Sequence, residues 1–544
     1  MRTPLLLYGL AFLVRAGLMA MFPDPAYPDS YYYVDVARAL AAGHGLNVDF
    51  VWIFAEVGGK IPADAVLPIP SNAHWLPLAS FIQAPFVALM GPTAIASALP
   101  MVLVGSLAAP LTWAIARDIG ASRTVQLGAA VMAAIPAAGT VFMPQPENFA
   151  IFQPLVAATL WFAARGLRGD TRAYAAAGLL VGLACIARND AFLLGAAVGL
   201  VFVIDRVRAW RRGERPHLPW TAAAACLGLF LLVVGPWWYR QLTVFGSISP
   251  TASSGTALWL TDYRQWNSIT ADTSFANFLA QGPAGIIGSR LGGLVASAAN
   301  FAVVIGSVVL VPFIIWGGWL RRRSDDLLPF FLYVLILFLG ATLIFPLHVP
   351  GGAFIHSAIG LGPYAYILAL EGVAALVLAI ARRRPAWDAD KATPIFSWAL
   401  VGLVILTAAL YAPALQGKWR ADQAPRRELA AHLDEIGVPA DARLMTIDAA
   451  GFKYLTGRGG VVSPDDPIET IRAVAEAYDI DWLVLERNGV VEALKPVLES
   501  DERPDWIGPA SLTIFGRDEE GPPDLVLYPV CFDPADARCS VPAR

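Results

Sequence analysis

Charge is scarce in this chain. Only 15% of its 544 residues are Asp, Glu, Lys or Arg, against 57% hydrophobic, and mean hydropathy is +0.56. A soluble globular domain carries about 25% charged residues, so that class is excluded and a polytopic membrane protein remains. Basic blocks outside the loops that flank apolar runs are missing, and net charge is −4, which removes nucleic acid as a partner. Cysteine is rare, with 4 in all. Cys185 and Cys226 sit inside apolar runs and read as inert packing residues. Cys531 and Cys539 sit in the polar tail, spaced for a disulfide if that tail faces an oxidising compartment. The first apolar run, Pro4 to Phe22, contains Arg15 and lacks a small-residue cleavage site before Asp24, so it reads as a retained helix.

Apolar runs of about 18 residues recur from the N-terminus to roughly residue 415, each suited to a bilayer core of about 30 Å. Arginines cluster between them at Arg117 and Arg123, at Arg165, Arg168 and Arg172, at Arg206 to Arg215, at Arg321 to Arg323 and at Arg382 to Arg384. These loops belong on the cytoplasmic side. Bringing them all to one side predicts about 11 crossings, at 4–22, 94–115, 124–142, 149–164, 173–187, 190–205, 219–238, 300–319, 327–346, 363–381 and 394–414. The N-terminus is then cytoplasmic and the tail extracytoplasmic, in the inner or plasma membrane. Residues 76–90 are too short to cross and join the first outer loop, 23–93; a second long outer loop covers 239–299. The expected organisation is a membrane domain, 1–415, and an extracytoplasmic α/β domain, 416–544. In the tail, helices near 426–433, 468–477 and 490–498 alternate with strands near 442–448, 482–485, 512–515 and 525–528, which predicts a largely parallel sheet. No phosphate-binding glycine motif opens any of these helices.

The outer loops hold the residues able to do chemistry. After the first run comes Pro28-Asp29-Ser30-Tyr31-Tyr32-Tyr33-Val34-Asp35, continuing to Gly43-His44-Gly45. Tyr32, Tyr33, Val36, Ala37 and Leu40 fall at helical spacing, predicting a short helix along the membrane surface with Asp29 at its start. There Asp29 reads either as an N-cap or as a general base. Glu147, in Pro144-Gln145-Pro146-Glu147-Asn148-Phe149, either supports the helix it opens or meets a phosphate or metal. Arg188-Asn189-Asp190 interrupts a helical hairpin, and charges at that depth need partners. Arg240 follows Gly235-Pro236-Trp237-Trp238-Tyr239 and either binds phosphate or snorkels at the boundary. His74 lies in His74-Trp75-Leu76-Pro77; His348 and His356 flank Gly351-Gly352. Each histidine is either a packing residue or a ligand. Inside the membrane Arg15 and Glu371 are the conspicuous charges; either an ion pair between them satisfies both, or they line a substrate cleft.

Asp29 before its tyrosines, the glycine-rich run 178–184 ending at Arg188, Pro236-Trp237-Trp238-Tyr239-Arg240-Gln241 with Phe245-Gly246, and His74-Trp75-Leu76-Pro77-Leu78 together resemble the GT-C superfamily of membrane glycosyltransferases. The likeness is to bacterial relatives of protein O-mannosyltransferases and of the lipid A aminoarabinose transferase. It departs from the usual pattern in having Asp29-Ser30 for an Asp-Glu pair and Gln241 for Asn. The resemblance implies a GT-C fold, Asp29 as catalytic base, and Glu147, Arg188, Arg240, His74, His348 and His356 as substrate-binding residues. It also implies a divalent cation, Mg or Mn, at Glu147. The function it implies is transfer of a hexosyl or pentosyl group from a polyprenyl-phosphate donor to a glycan, lipid or protein hydroxyl, with inversion, on the extracytoplasmic face. A transporter or flippase of lipid-linked sugars is the alternative; such proteins commonly carry internal repeats, and no repeat relates the two halves of this chain.

Overall fold

The computed structural model describes residues 2–247, 257–350, 352–384, 386–516, 522–533 and 536–539. Part of the expected 239–299 loop, 248–256, and Gly351 between the two histidines lie outside them. The chain divides into two compact units. One comprises Met1–Asp24, Leu76–Arg240 and Pro283–Gln416; the other comprises Pro25–Trp75, Gln241–Gly282 and Gly417–Arg544. The segments 25–75 and 241–282 group with Gly417–Arg544.

Helices build the first unit. Among the described residues of the chain, eight helices are long and apolar enough to cross a membrane: Arg2–Met21, Ala94–Asp118, Phe149–Leu167, Trp220–Phe245, Gly282–Ile305, Asp325–Ile344, Ala353–Arg383 and Ala389–Ile436. The protein is a multi-pass membrane protein. Eight is fewer than the expected 11, for local reasons. The run 124–142 is not one span: its helix, Arg123–Ala134, stops before Pro136 and a 3-10 turn covers Ala137–Phe142. The last carbonyls of that helix lack helical donors, and Arg15 supplies them, with Nη1 to Ala134 O and Nη2 to Ala133 O, both 3.2 Å. The expected Arg15–Glu371 pair therefore does not form; Glu371 accepts Nε and Nη2 of Arg321 at 2.9 and 2.5 Å. The run 173–187 gives a helix of 15 residues, Thr171–Cys185. In the opposite sense, part of the expected outer loop 239–299 is a membrane-length helix starting at Gly282.

Glycine sets the closest approaches between these helices. A Cβ on Gly317 would collide with the Leu368 carbonyl, and one on Gly372 with the Phe313 carbonyl, so Val311–Arg321 and Gly362–Arg383 touch backbone to backbone twice. Gly178 stands likewise against the Cys226 carbonyl, joining Thr171–Cys185 to Trp220–Phe245.

The second unit is built on a sheet. Strands β1 (Asn47–Val48) and β3 (Ile69–Pro70) pair antiparallel. Strand β2 (Phe50–Val51) joins β4 (Leu444–Thr446), β5 (Gly460–Val462), β6 (Trp482–Glu486), β7 (Leu512–Ile514) and β8 (Leu525–Pro529) in the order β2-β5-β4-β6-β8-β7. The sheet is parallel from β2 to β6 and antiparallel from β6 through β8 to β7, so it is mixed rather than largely parallel. Its edge strand β2 comes from the first outer loop, with Phe50 opposite Gly460 and Val51 opposite Val461. Leu429, Leu433, Leu444, Phe452, Trp482, Val484, Leu525 and Leu527 fill one core. Arg426, on the long helix Ala389–Ile436, forks onto Glu486 at 2.7 and 2.9 Å and reaches Asp448 Oδ2 at 2.5 Å. Cys531 and Cys539 are joined in a disulfide, with Cα atoms 6.3 Å apart.

The helix Pro28–Ala41 differs from the surface helix expected for it. Tyr31, Tyr32, Tyr33, Val34, Val36 and Ala37 are all buried, so its first turns are core rather than one-faced. Tyr31 Oη accepts Gln423 Nε2 at 2.6 Å, and the Arg38 guanidinium lies 4.2 Å from the centre of the Tyr454 ring.

Candidate active site

In the second unit the site starts with a capping arrangement that releases Asp29. Pro28 occupies the first turn, where its missing N–H costs nothing. The cap is made by Ser30, whose Oγ accepts Tyr27 N–H at 3.1 Å and Ala26 N–H at 3.0 Å while donating to Tyr27 O at 2.7 Å. Asp29 is thus not the N-cap. Its Oδ1 accepts the indole Nε1–H of Trp75 at 2.8 Å, and the side chain is half-buried.

Aromatic rings surround that bond. Tyr32 stacks on Trp75 with centroids 4.3 Å apart; His74 lies between Trp75 and Trp266, at 5.0 and 5.1 Å; Trp52 touches both tryptophans at 5.7 Å. Asn72, in the left-handed region at φ 66°, ties the cluster together. Its N–H donates to Tyr32 Oη at 2.6 Å, its Nδ2 to Trp75 O at 2.9 Å, and its carbonyl accepts Gln241 Nε2 at 2.9 Å. Within this shell lies Glu56, buried, with Oε2 accepting Trp52 N–H at 2.9 Å and the carboxyl electrostatically coupled to the Tyr32 hydroxyl. Burial pushes Glu56 up to about 8 against the favourable effect of those two groups. Sequence reasoning missed Glu56 and Tyr32; the available signal was a lone carboxylate in the apolar run Ile53-Phe54-Ala55-Glu56-Val57.

The first unit holds the second group of charged residues. Glu147 is 1% exposed; Oε1 accepts Phe149 N–H at 3.0 Å, opening the helix as expected, and Oε2 lies 3.5 Å from His356 Nδ1. The His356 ring stacks on Phe149 at 4.1 Å. Arg188 donates Nε to Asp190 Oδ1 and to Ser357 Oγ, each at 3.0 Å, and Nη2 to Ala353 O at 3.4 Å. Ser357 in turn donates to Asp190 Oδ2. The short helix Ala353–Ala358 therefore places His356 on Glu147 and Ser357 on Arg188 and Asp190, gathering three of the expected residues. Arg240 lies over the Trp237 ring at 5.0 Å. His348 ends the 3-10 turn Pro346–His348, and burial lowers its pKa to about 4, leaving a neutral imidazole.

Residues 71–239 match the family described as dolichyl-phosphate-mannose-protein mannosyltransferase. Two crystal structures of ArnT from Cupriavidus metallidurans, one bound to undecaprenyl phosphate and one in the apo state, match over 96% of this chain and 97% of theirs, at 13% identity with TM-scores of 0.54 and 0.52. The archaeal oligosaccharyltransferase AglB from Archaeoglobus fulgidus aligns over 89% of this chain and 69% of its own, at 12% identity and a TM-score of 0.47. No curated protein sequence matches. The chain thus shares its fold with ArnT over 96% of its length, and its residues 71–239 match the dolichyl-phosphate-mannose-protein mannosyltransferase family.

Proposed function

We propose that the protein moves a hexosyl or pentosyl group from a polyprenyl-phosphate donor to a hydroxyl on a glycan, lipid or protein acceptor, with inversion, at the extracytoplasmic face of the inner or plasma membrane. The observation that carries this reading is Asp29, a half-buried carboxylate that does not cap its helix and is held through one oxygen by Trp75. Oδ2 stands outside that bond and serves as the base. It takes the acceptor O–H proton as the acceptor oxygen attacks the anomeric carbon; the bond from that carbon to the phosphate oxygen breaks, and polyprenyl phosphate leaves with the electron pair. The leaving group is a stable anion, so cationic stabilisation matters more than a protein acid, and Arg188 and Arg240 are the side chains assigned to it. The shared fold with a protein bound to undecaprenyl phosphate supports a lipid phosphate in that role. The arginine-rich loops support a cytoplasmic side for those loops.

Glu147 Oε2 and His356 Nδ1 are buried, lack hydrogen-bond partners of good geometry and lie 3.5 Å apart, a carboxylate–imidazole pair that fits Mn better than Mg, which prefers oxygen ligands throughout. When bound, such an ion supplies positive charge for the departing phosphate. In cells, loss of the protein should leave its lipid-linked sugar unused and accumulating. Asp29→Asn, inserted and folded, should reproduce that accumulation and lower transfer by about 10²- to 10⁴-fold. Normal turnover by this variant would remove the proposed base.

A further inference from the structure

Glu56 is a carboxyl group buried among rings, and the reaction as proposed gives it no part. Its surroundings form a continuous chain to the base. Tyr32 Oη accepts the Asn72 N–H at 2.6 Å, which leaves its own proton to donate, and Glu56 is the carboxyl that acts on this hydroxyl. The ring carrying that hydroxyl stacks on Trp75 at 4.3 Å, and the indole N–H of Trp75 donates to Asp29 at 2.8 Å. Asn72 fixes both ends, through Tyr32 Oη and through the Trp75 carbonyl.

Resting on the reading of Asp29 as base, we infer that Glu56 is a positioning residue for the transfer: by holding the Tyr32 hydroxyl it fixes the ring against which Trp75 lies, and so the direction of the Asp29 carboxylate. A base displaced by a fraction of an ångström loses rate without losing substrate affinity, because binding does not depend on the proton it will take. The groups that interact electrostatically with Glu56 are Tyr32 and Tyr478, the hydroxyl of the latter pushed up by burial and then by Glu56; Tyr33 acts on Tyr32 in the same sense. Near neutral pH Glu56 is the neutral acid, and its ionisation at about 8 puts a charge into the aromatic shell that orders Trp75.

The test uses the full-length protein in proteoliposomes. The substrate is the lipid extract of cells lacking the protein, with the acceptor supplied as membranes of the same cells, and initial rates are followed by mass spectrometry of the lipid-linked sugar. Tyr32→Phe, which removes one oxygen and keeps the stack, and Glu56→Leu should lower kcat roughly 10- to 100-fold with KM for the extract unchanged. Glu56→Gln, which keeps an acceptor oxygen for Tyr32, should keep the neutral-pH rate and lose the fall in rate that the wild type shows above about pH 8. If Glu56→Leu does not fold, Tyr32→Phe decides. An unchanged kcat in Tyr32→Phe, or the same alkaline fall in Glu56→Gln, overturns the positioning role while an inactive Asp29→Asn keeps the base. An active Asp29→Asn overturns the functional reading itself.

Discussion

Arg188 spreads one guanidinium over Asp190, Ser357 and the Ala353 carbonyl, and the planar fork makes that possible. Lysine keeps the charge but not the geometry. Arg188→Lys should therefore raise KM for the lipid-linked donor about tenfold while changing kcat less; an unaltered KM would leave Arg188 a structural tie to Asp190 only. Single residues were the most legible part of the site. Asp29, Glu147, Arg188 and His356 stand out because ionisable groups are costly beside hydrocarbon and are kept where they have partners. The partners themselves were not legible. That Ser30 rather than Asp29 caps the helix, that Arg15 turns to helix-end carbonyls rather than to Glu371, and that Tyr32 meets Glu56 all depend on how distant segments close in space.

Among the elements, the pair Val311–Arg321 and Gly362–Arg383 makes the sharpest demand on sequence. Adding one methyl at Gly317 or at Gly372 sets a side chain against a rigid carbonyl, an overpacking that costs about 1–3 kcal/mol. Gly317→Ala and Gly372→Ala should each lower the Tm of the detergent-solubilised protein. Gly402→Ala, where nothing lies within 4 Å of the added atom, should leave it unchanged or slightly raised. Equal Tm values for all three would mean that these helices are not in backbone contact. Hydropathy identifies helices well and their ends poorly. Pro136 splits a run that averages as apolar, while the glycines and Arg290 of Gly282–Asn300 dilute a helix into what reads as a loop. Strands β2 and β5 have two and three residues, too few for an alternating pattern to register.

On the scale of the whole molecule, the buried Glu56 and the largely buried Asp35 both contribute to the pH response of the unit that contains them. Burial holds Asp35 and Glu56 at about 8, whereas the unfolded chain ionises both near 4. Between those values the unfolded chain binds fewer protons than the folded one, so their contribution makes stability fall as pH rises from about 4 to about 8. Asp35→Asn and Glu56→Gln remove that slope. Measured against wild type, the Tm of each variant should gain between pH 5 and pH 8, and a difference that is constant across this range would show that the two groups ionise normally in the folded protein. The glycine contacts have a consequence of a different kind. Where a single methyl already collides with a neighbouring carbonyl, no prenyl tail can slip through, so the seams at Gly178 and at Gly317 with Gly372 are shut to lipid traffic. The proposed lipid-borne donor would enter along other flanks, and Trp220–Phe245 and Gly282–Ile305, with only 17% and 11% of their apolar windows buried, offer open sides.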